Sequence, residues 1–261
     1  MSVDAVVFDW GGTLAEYAGI EMIDMWRVAA RHLAPDREEE VLARLVAVEE
    51  ASWARIAVDQ RSTTLSSLLA AASADLGLDV AEAVLEEAAT HHLDSWTPHV
   101  RHDPDAVPAL SALRGLGVRI GLLSNTHWPR SFHERFLERD GLAPLIDVRC
   151  YTSELAYTKP HPEAFRAVLD RLGVADPGRA VFVGDRPYDD VYGARRLGMR
   201  AVLRPNPLVP GFDVAPDATV ATLAELVGLV RWWQAGATKR DAPAGAKRRE
   251  PGSSGRDPTA T

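Results

Sequence analysis

The stretch from Asp4 to Leu14, DAVVFDWGGTL, constrains the fold more than any other. Ala5, Val6, Val7 and Phe8 form a short apolar run that suits a strand buried on both faces, and Gly11 and Gly12 then break it. Asp9 sits where the strand stops. Open parallel α/β sheets bind ligands in the crevice beyond the carboxyl ends of their strands, and glycines there let backbone come close to a bound anion. A carboxylate at that place suits a nucleophile or a metal ligand. Aspartate also forms turns that cap a following helix, and this stretch alone leaves both readings open.

Beyond Leu14 the pattern turns helical until about Ser95. Met22, Ile23, Trp26, Ala30 and Leu33 recur at helical spacing, as do Val41, Leu42, Leu45, Val48 and Trp53, and then Leu65, Leu68, Leu69 and Leu76. An all-helical insertion of four or five helices is expected over 15–98, packed by Trp26, Trp53 and Trp96. From His99 onward strands and helices alternate, which predicts a parallel sheet with crossover helices. Strands are expected at 118–124, 148–151, 180–184 and 200–203, and helices at 107–116, 130–139, 162–172, 191–197 and 222–233. The expected fold class is therefore α/β: a Rossmann-like doubly wound parallel sheet built from 1–14 plus 99–234, with the helical insertion as a second domain. The Pro/Gly/Ser/Ala-rich stretch 235–261 cannot bury enough apolar surface to order itself, and a disordered tail is expected there.

Composition narrows the partners. A formal net charge of −8 disfavours nucleic acid, because phosphate backbones need a basic surface, and the one basic cluster, Lys247, Arg248 and Arg249, lies in the tail. No apolar run approaches the length that spans a bilayer, and no basic segment precedes an apolar one at the N-terminus, so no membrane partner and a cytoplasmic location are expected. The single cysteine, Cys150, excludes an intrachain disulfide, agrees with a reducing compartment, and in VRCYT reads as a packed strand residue. Small molecules are the expected partners.

Each expected core strand ends in polar residues suited to phosphate chemistry. Asp9 is the first such station. Ser124 and Asn125 follow the apolar GLL, where a hydroxyl and backbone N–H groups can hold phosphoryl oxygens. Lys159, in YTKPHPEAF, is presented by a backbone that Pro160 and Pro162 fix, and it is one of only three lysines, the others lying at or beyond the last helix. The fourth station is VFVGDRPYDD, where Asp185, Asp189 and Asp190 form the kind of carboxylate cluster that suits a Mg²⁺ keeping several waters.

In this order the stations resemble the haloacid dehalogenase superfamily of hydrolases, in the subgroup with a helical cap inserted directly after the first motif. FDWGGTL is similar to that family's DxDGT motif, LLSN to its second, KPHP to its third, and GDRPYDDVYGA to its acidic fourth; the likeness spans about Val3 to Pro205. The resemblance implies a haloacid dehalogenase-like core with a cap at 15–98, and a phosphatase of a small phosphorylated metabolite. Asp9 would be the nucleophile that forms an aspartyl-phosphate. Ser124 would bind the phosphoryl group, helped by Thr13 and the backbone of Asn125, and Lys159 would neutralise charge on nucleophile and phosphate. Asp9, the Gly11 carbonyl and Asp185 would hold Mg²⁺, with Asp190, rather than Asp189, binding or orienting it through water because Gly193 and Ala194 then fall at the family's helix start. Phosphoryl transfer is mostly positioning and charge neutralisation, and this set supplies both.

One position departs from the pattern. Phosphatases of this family carry a second aspartate, a proton shuttle, where this chain has Gly11. Because general acid–base catalysis is worth ~10²–10⁴-fold, a slow phosphatase is compatible with the loss, and so is a phosphate-binding protein on the same scaffold. Phosphonoacetaldehyde-cleaving members have a similar DWAGT but need a cap lysine, and 15–98 contains none. Dehalogenating members use no metal, so an intact pair such as Asp185 and Asp190 would have little purpose there, and a dehalogenase is the lesser alternative. His127, in SNTHWPR, is the foremost substitute proton donor by position, with Glu16 and Tyr17 behind it.

Overall fold

β1 (Ala5–Phe8) is flanked on both sides by parallel strands, which is why all four of its residues are apolar and fully buried. The computed structural model describes residues 2–16 and 22–236. Within them the sheet has six strands in the order β3-β2-β1-β4-β5-β6, with β2 at Arg119–Ser124, β3 at Val148–Tyr151, β4 at Ala180–Gly184, β5 at Arg200–Leu203 and β6 at Ala218–Thr219. Every pairing is parallel. The chain winds outward from β1 in both directions, so the crevice at a doubly wound sheet's switch point opens between the ends of β1 and its neighbours.

Strand side chains alternate between two layers. Val6, Phe8, Ile120, Leu122, Val181 and Val183 face helices α5 (Ala106–Gly115), α6 (Arg130–Arg139) and α9 (Leu223–Gln234), against Leu110, Leu113, Phe136, Leu226 and Val230. Ala5, Val7, Leu123 and Phe182 face α7 (Pro162–Leu172) and α8 (Gly193–Leu197), against Phe165, Val168, Leu169 and Ala194. Helix α7 lies so close to β2 that a Cβ at Gly121 would come 2.9 Å from Leu172.

Among the described residues, four α-helices fill the segment after β1: α1 (Met22–Leu33), α2 (Glu38–Asp59), α3 (Leu65–Asp75) and α4 (Glu82–Ser95). They have their own core of Trp26, Ala30, Leu42, Leu45, Leu69 and Ala88. Two crossing segments join this bundle to the sheet, tied by hydrogen bonds from Glu16 N to Arg101 O and from Asp103 N to Leu14 O, both 2.9 Å. A second seam forms where Gln60, in the left-handed region at φ 57°, ends α2 and turns the chain toward the sheet. There Ser62 N donates to Ala156 O at 3.1 Å, Thr158 N to Gln60 O at 2.8 Å, and Leu65 N to His127 O at 2.8 Å.

The expected strands are present within a residue or two. Three features differ. β6 has only two residues, too few for periodicity to reveal. The helix expected to begin at 191 is preceded by a π-helical turn, Pro187–Tyr192, before α8. Ile23, whose spacing matches the buried stripe of α1, is exposed. Most of the expected disordered tail lies outside the described residues, as does Tyr17.

Candidate active site

The site is built on the register of the central strands. Phe8 pairs with Leu122 on one side and Val183 on the other, so Asp9, Ser124 and Asp185 all emerge at the same rim. Asp9 is fixed there by its own N–H, which donates to Val183 O at 2.9 Å. A tight turn follows, in which Leu14 N and Ala15 N both donate to the Trp10 carbonyl, at 2.9 and 2.7 Å, and Gly12 takes φ 77°, a conformation glycine adopts without strain. Arg204 clamps this turn from below through the Thr13 carbonyl at 2.5 Å and through the Asp103 carboxylate.

Lys159 reaches the same point from the loop before α7. Its Nζ donates to Asp9 Oδ1 at 2.6 Å and to Asp190 Oδ1 at 2.7 Å, and the side chain is 1% exposed. The lysine is held at its main chain by Asn125, whose amide donates to Lys159 O at 2.9 Å and accepts from Lys159 N at 2.8 Å. Asp190 in turn accepts from Arg186 N at 2.9 Å, and Asn206 donates to Asp185 Oδ2 at 3.2 Å.

Asp9, Asp185 and Asp190 are all buried, and each offers a carboxylate oxygen within 4.8 Å of the others. Two of them, Asp9 and Asp190, share the Lys159 ammonium. Burial pushes the Asp9 carboxyl up to about 7; Lys159 pulls against that rise, while Asp190 and Asp185 add to it. Burial also disfavours the Lys159 ammonium, but Asp190 and Asp9 outweigh it and hold its pKa above the ordinary lysine value. A hard, all-oxygen donor set with an excess of negative charge fits Mg²⁺, which binds through one or two carboxylates and keeps waters.

The residues singled out from sequence fall as follows. Asp9, Lys159, Asp185 and Asp190 converge. Asp189 stands aside, 3.6 Å from Arg186, and burial raises its carboxyl to about 6. Ser124 is buried at the end of β2, and Thr13 Oγ1 is buried with no hydrogen-bond partner among the described residues. A Cβ built on Gly11 would meet no atom within 4 Å among the described residues. The Asn125 side chain was not singled out from sequence; its grip on Lys159 depends on a contact 34 residues away, which no local pattern signals.

His127 corrects an expectation. It is not a neutral-range proton donor at the rim but a buried ring packed on Trp53 of α2, with centroids 4.1 Å apart, and hydrogen-bonded to the Thr63 backbone. Burial pushes its pKa down to about 4, so it is neutral at pH 7. Glu16 is exposed beside the crossing segments.

Comparison with known proteins agrees with this architecture. The chain is 31% identical over 229 residues to the phosphoglycolate phosphatase of Rhodospirillum rubrum, covering 84% of this chain and 85% of that protein. It is 36% identical over 124 residues to the phosphoserine phosphatase of Thermus thermophilus, covering 47% of this chain and only about half, 49%, of that protein. The crystal structure of a 2-haloacid dehalogenase from Pseudomonas syringae superposes with a TM-score of 0.68 at 26% identity, covering 88% of this chain and 99% of that one. A model of the haloacid dehalogenase-like hydrolases matches residues 3–198, which takes in the central strand, the helical insertion and all four polar strand ends. By that match, together with the parallel sheet that carries it, the chain belongs to the haloacid dehalogenase-like hydrolase family.

Proposed function

We propose that the protein is a Mg²⁺-dependent phosphatase that hydrolyses a small phosphate monoester through an aspartyl-phosphate on Asp9, with residues 15–98 forming a cap over the substrate. The observation that carries this reading is the meeting of Lys159 with Asp9, 150 residues away in sequence, beside Asp185 and Asp190. The phosphatase names of the matched relatives support the substrate class.

Asp9 acts as the nucleophile. Lys159 engages Oδ1, which leaves Oδ2 to attack phosphorus, and the same ammonium offsets charge on the incoming phosphoryl group. Asn125 keeps the lysine in place through its main chain. The unpartnered Thr13 hydroxyl donates to a phosphoryl oxygen, as do Ser124 and the Asn125 backbone. Asp9, Asp185 and the Gly11 carbonyl would hold Mg²⁺, with Asp190 orienting it through water. A cation held there would supply neutralisation of phosphoryl charge. The cap excludes bulk water through its seams at 14–16 with 101–103 and at 60–65 with 127 and 156–158.

Phosphate release from a panel of phosphorylated metabolites tests the reading. Wild type should release phosphate with Mg²⁺ and lose that activity in EDTA, and Asp9→Asn should fall to background. Equal release by Asp9→Asn would overturn it, as would halide release from 2-chloropropionate with no phosphate released from any ester.

A further inference from the structure

Expelling an alcohol from phosphorus places a negative charge on the departing oxygen. A simple alkoxide is too basic to leave unless a positioned acid, ~2.6–3.2 Å away or one water further, protonates it in the transition state. Around Asp9 the described titratable side chains are otherwise committed; Asp189 pairs with Arg186 at 3.6 Å. Lys159 directs Nζ–H bonds to Asp9 and Asp190, and the two oxygens of Asp190 accept from Lys159 and from Arg186 N. Asp185 belongs to the carboxylate cluster. His127 is shut into the cap seam, under Trp53 and bonded to Thr63.

Among the described residues, nothing lies within 4 Å of where a side chain at position 11 would begin, on the turn next to the nucleophile. Gly11 is not in the left-handed region, and a Cβ there would meet nothing within 4 Å, so neither backbone conformation nor packing requires glycine at this position. What the residue contributes is room without a proton donor.

We infer that the preferred substrates are phosphate compounds whose leaving group departs as a stable anion, such as aryl, enol or acyl phosphates, rather than phosphate esters of simple alcohols. This rests on the phosphatase reading above. In the first step the Asp9 Oδ2–phosphorus bond forms and the bond from phosphorus to the leaving oxygen breaks; the electron pair leaves with that oxygen, and the enzyme transfers no proton to it. In the second step water adds to phosphorus and the bond to Oδ2 breaks. Both hydrogens of the water end on the released phosphate and Asp9 returns as a carboxylate.

The test is the dependence of kcat/KM on leaving-group pKa, measured for substituted phenyl phosphates and for the alkyl ester glycerol 3-phosphate. Wild type should show a steep fall from p-nitrophenyl phosphate to phenyl phosphate to glycerol 3-phosphate. Gly11→Asp, which the open space accommodates, should flatten that dependence and raise the alkyl ester ~10²-fold or more. A shallow dependence in wild type overturns the inference while phosphate release continues to support the phosphatase reading, and this arm stands even if Gly11→Asp fails to fold. A steep dependence that Gly11→Asp, folded by circular dichroism, leaves unchanged also overturns it. No phosphate release from any member overturns both.

Discussion

A lysine 2% exposed persists in the interior because two carboxylates meet its ammonium, which also lies over the Phe182 ring, 5.1 Å from Nζ to the centroid. One ammonium meets two carboxylates, with a third, Asp185, close beside them, and that clustering of acids is what recommends a divalent ion. It also predicts how Lys159→Met behaves. Removing the ammonium leaves buried carboxylates uncompensated, which costs about 3–5 kcal/mol, and activity should disappear with it. Because protonating Asp9 relieves that repulsion, the deficit should be smaller at pH 5 than at pH 8 in urea denaturation; a deficit independent of pH would contradict this account of the cluster. At this scale the sequence was legible where a residue is unusual for its surroundings. Lys159 is the sole lysine before Lys239 and is bracketed by prolines, and Asp9 ends an apolar run. The role of the Asn125 amide was not legible, since it is defined by a neighbour that only folding supplies. Nor was the burial of His127, whose environment comes from a tryptophan on another helix.

At the scale of elements, the strands were legible because burial on both faces demands unbroken apolar runs, and the site followed because parallel strands put their carboxyl ends on one rim. What could not be read was the geometry of the acidic turn. Pro187–Tyr192 winds as a π-helical turn, with the Asp190 carboxylate folded back onto Arg186 N and toward Lys159. The end of β4 makes room for that carboxylate: any Cβ on Gly184 would overlap the Asp190 side chain. Gly184→Ala should therefore displace Asp190 from Lys159 and reduce kcat at least tenfold, while the sheet, whose pairing Gly184 makes through its main chain, should keep its far-ultraviolet circular dichroism. Wild-type kcat in that variant would show that Asp190 is not held by this packing. Gly193 plays a similar part on the other side, where a Cβ would fall 2.6 Å from the Phe165 ring and 2.9 Å from Pro160 Cα.

Across the whole molecule, three buried histidines mark the helical bundle, its seam with the sheet domain, and the sheet domain itself. Burial holds His92 and His127 down to about 4 and His133 to about 3. Between those values and the ordinary 6.5, the unfolded chain takes up protons that the folded one refuses, so each histidine lowers stability as pH falls through that window, by about 1.4 kcal/mol per pH unit. Asp9 and Asp189, raised to about 7 and about 6, bind protons in the folded state over much of the same range and oppose the trend. The histidine contribution is therefore isolated by difference. His133→Phe, which keeps a ring against Tyr151, should show a slope of unfolding free energy against pH smaller than wild type by about 1 kcal/mol per unit between pH 6.5 and 5; parallel slopes would contradict the prediction. Among the described residues no helix is long and apolar enough to cross a membrane. All of these elements converge on one carboxylate, and its chemistry can be caught directly. Acid quenching during turnover of p-nitrophenyl phosphate with Mg²⁺, followed by mass spectrometry, should find phosphate on the peptide carrying Asp9 and none in Asp9→Asn. An unmodified Asp9 peptide throughout turnover, or a phosphate attached elsewhere, would contradict the account.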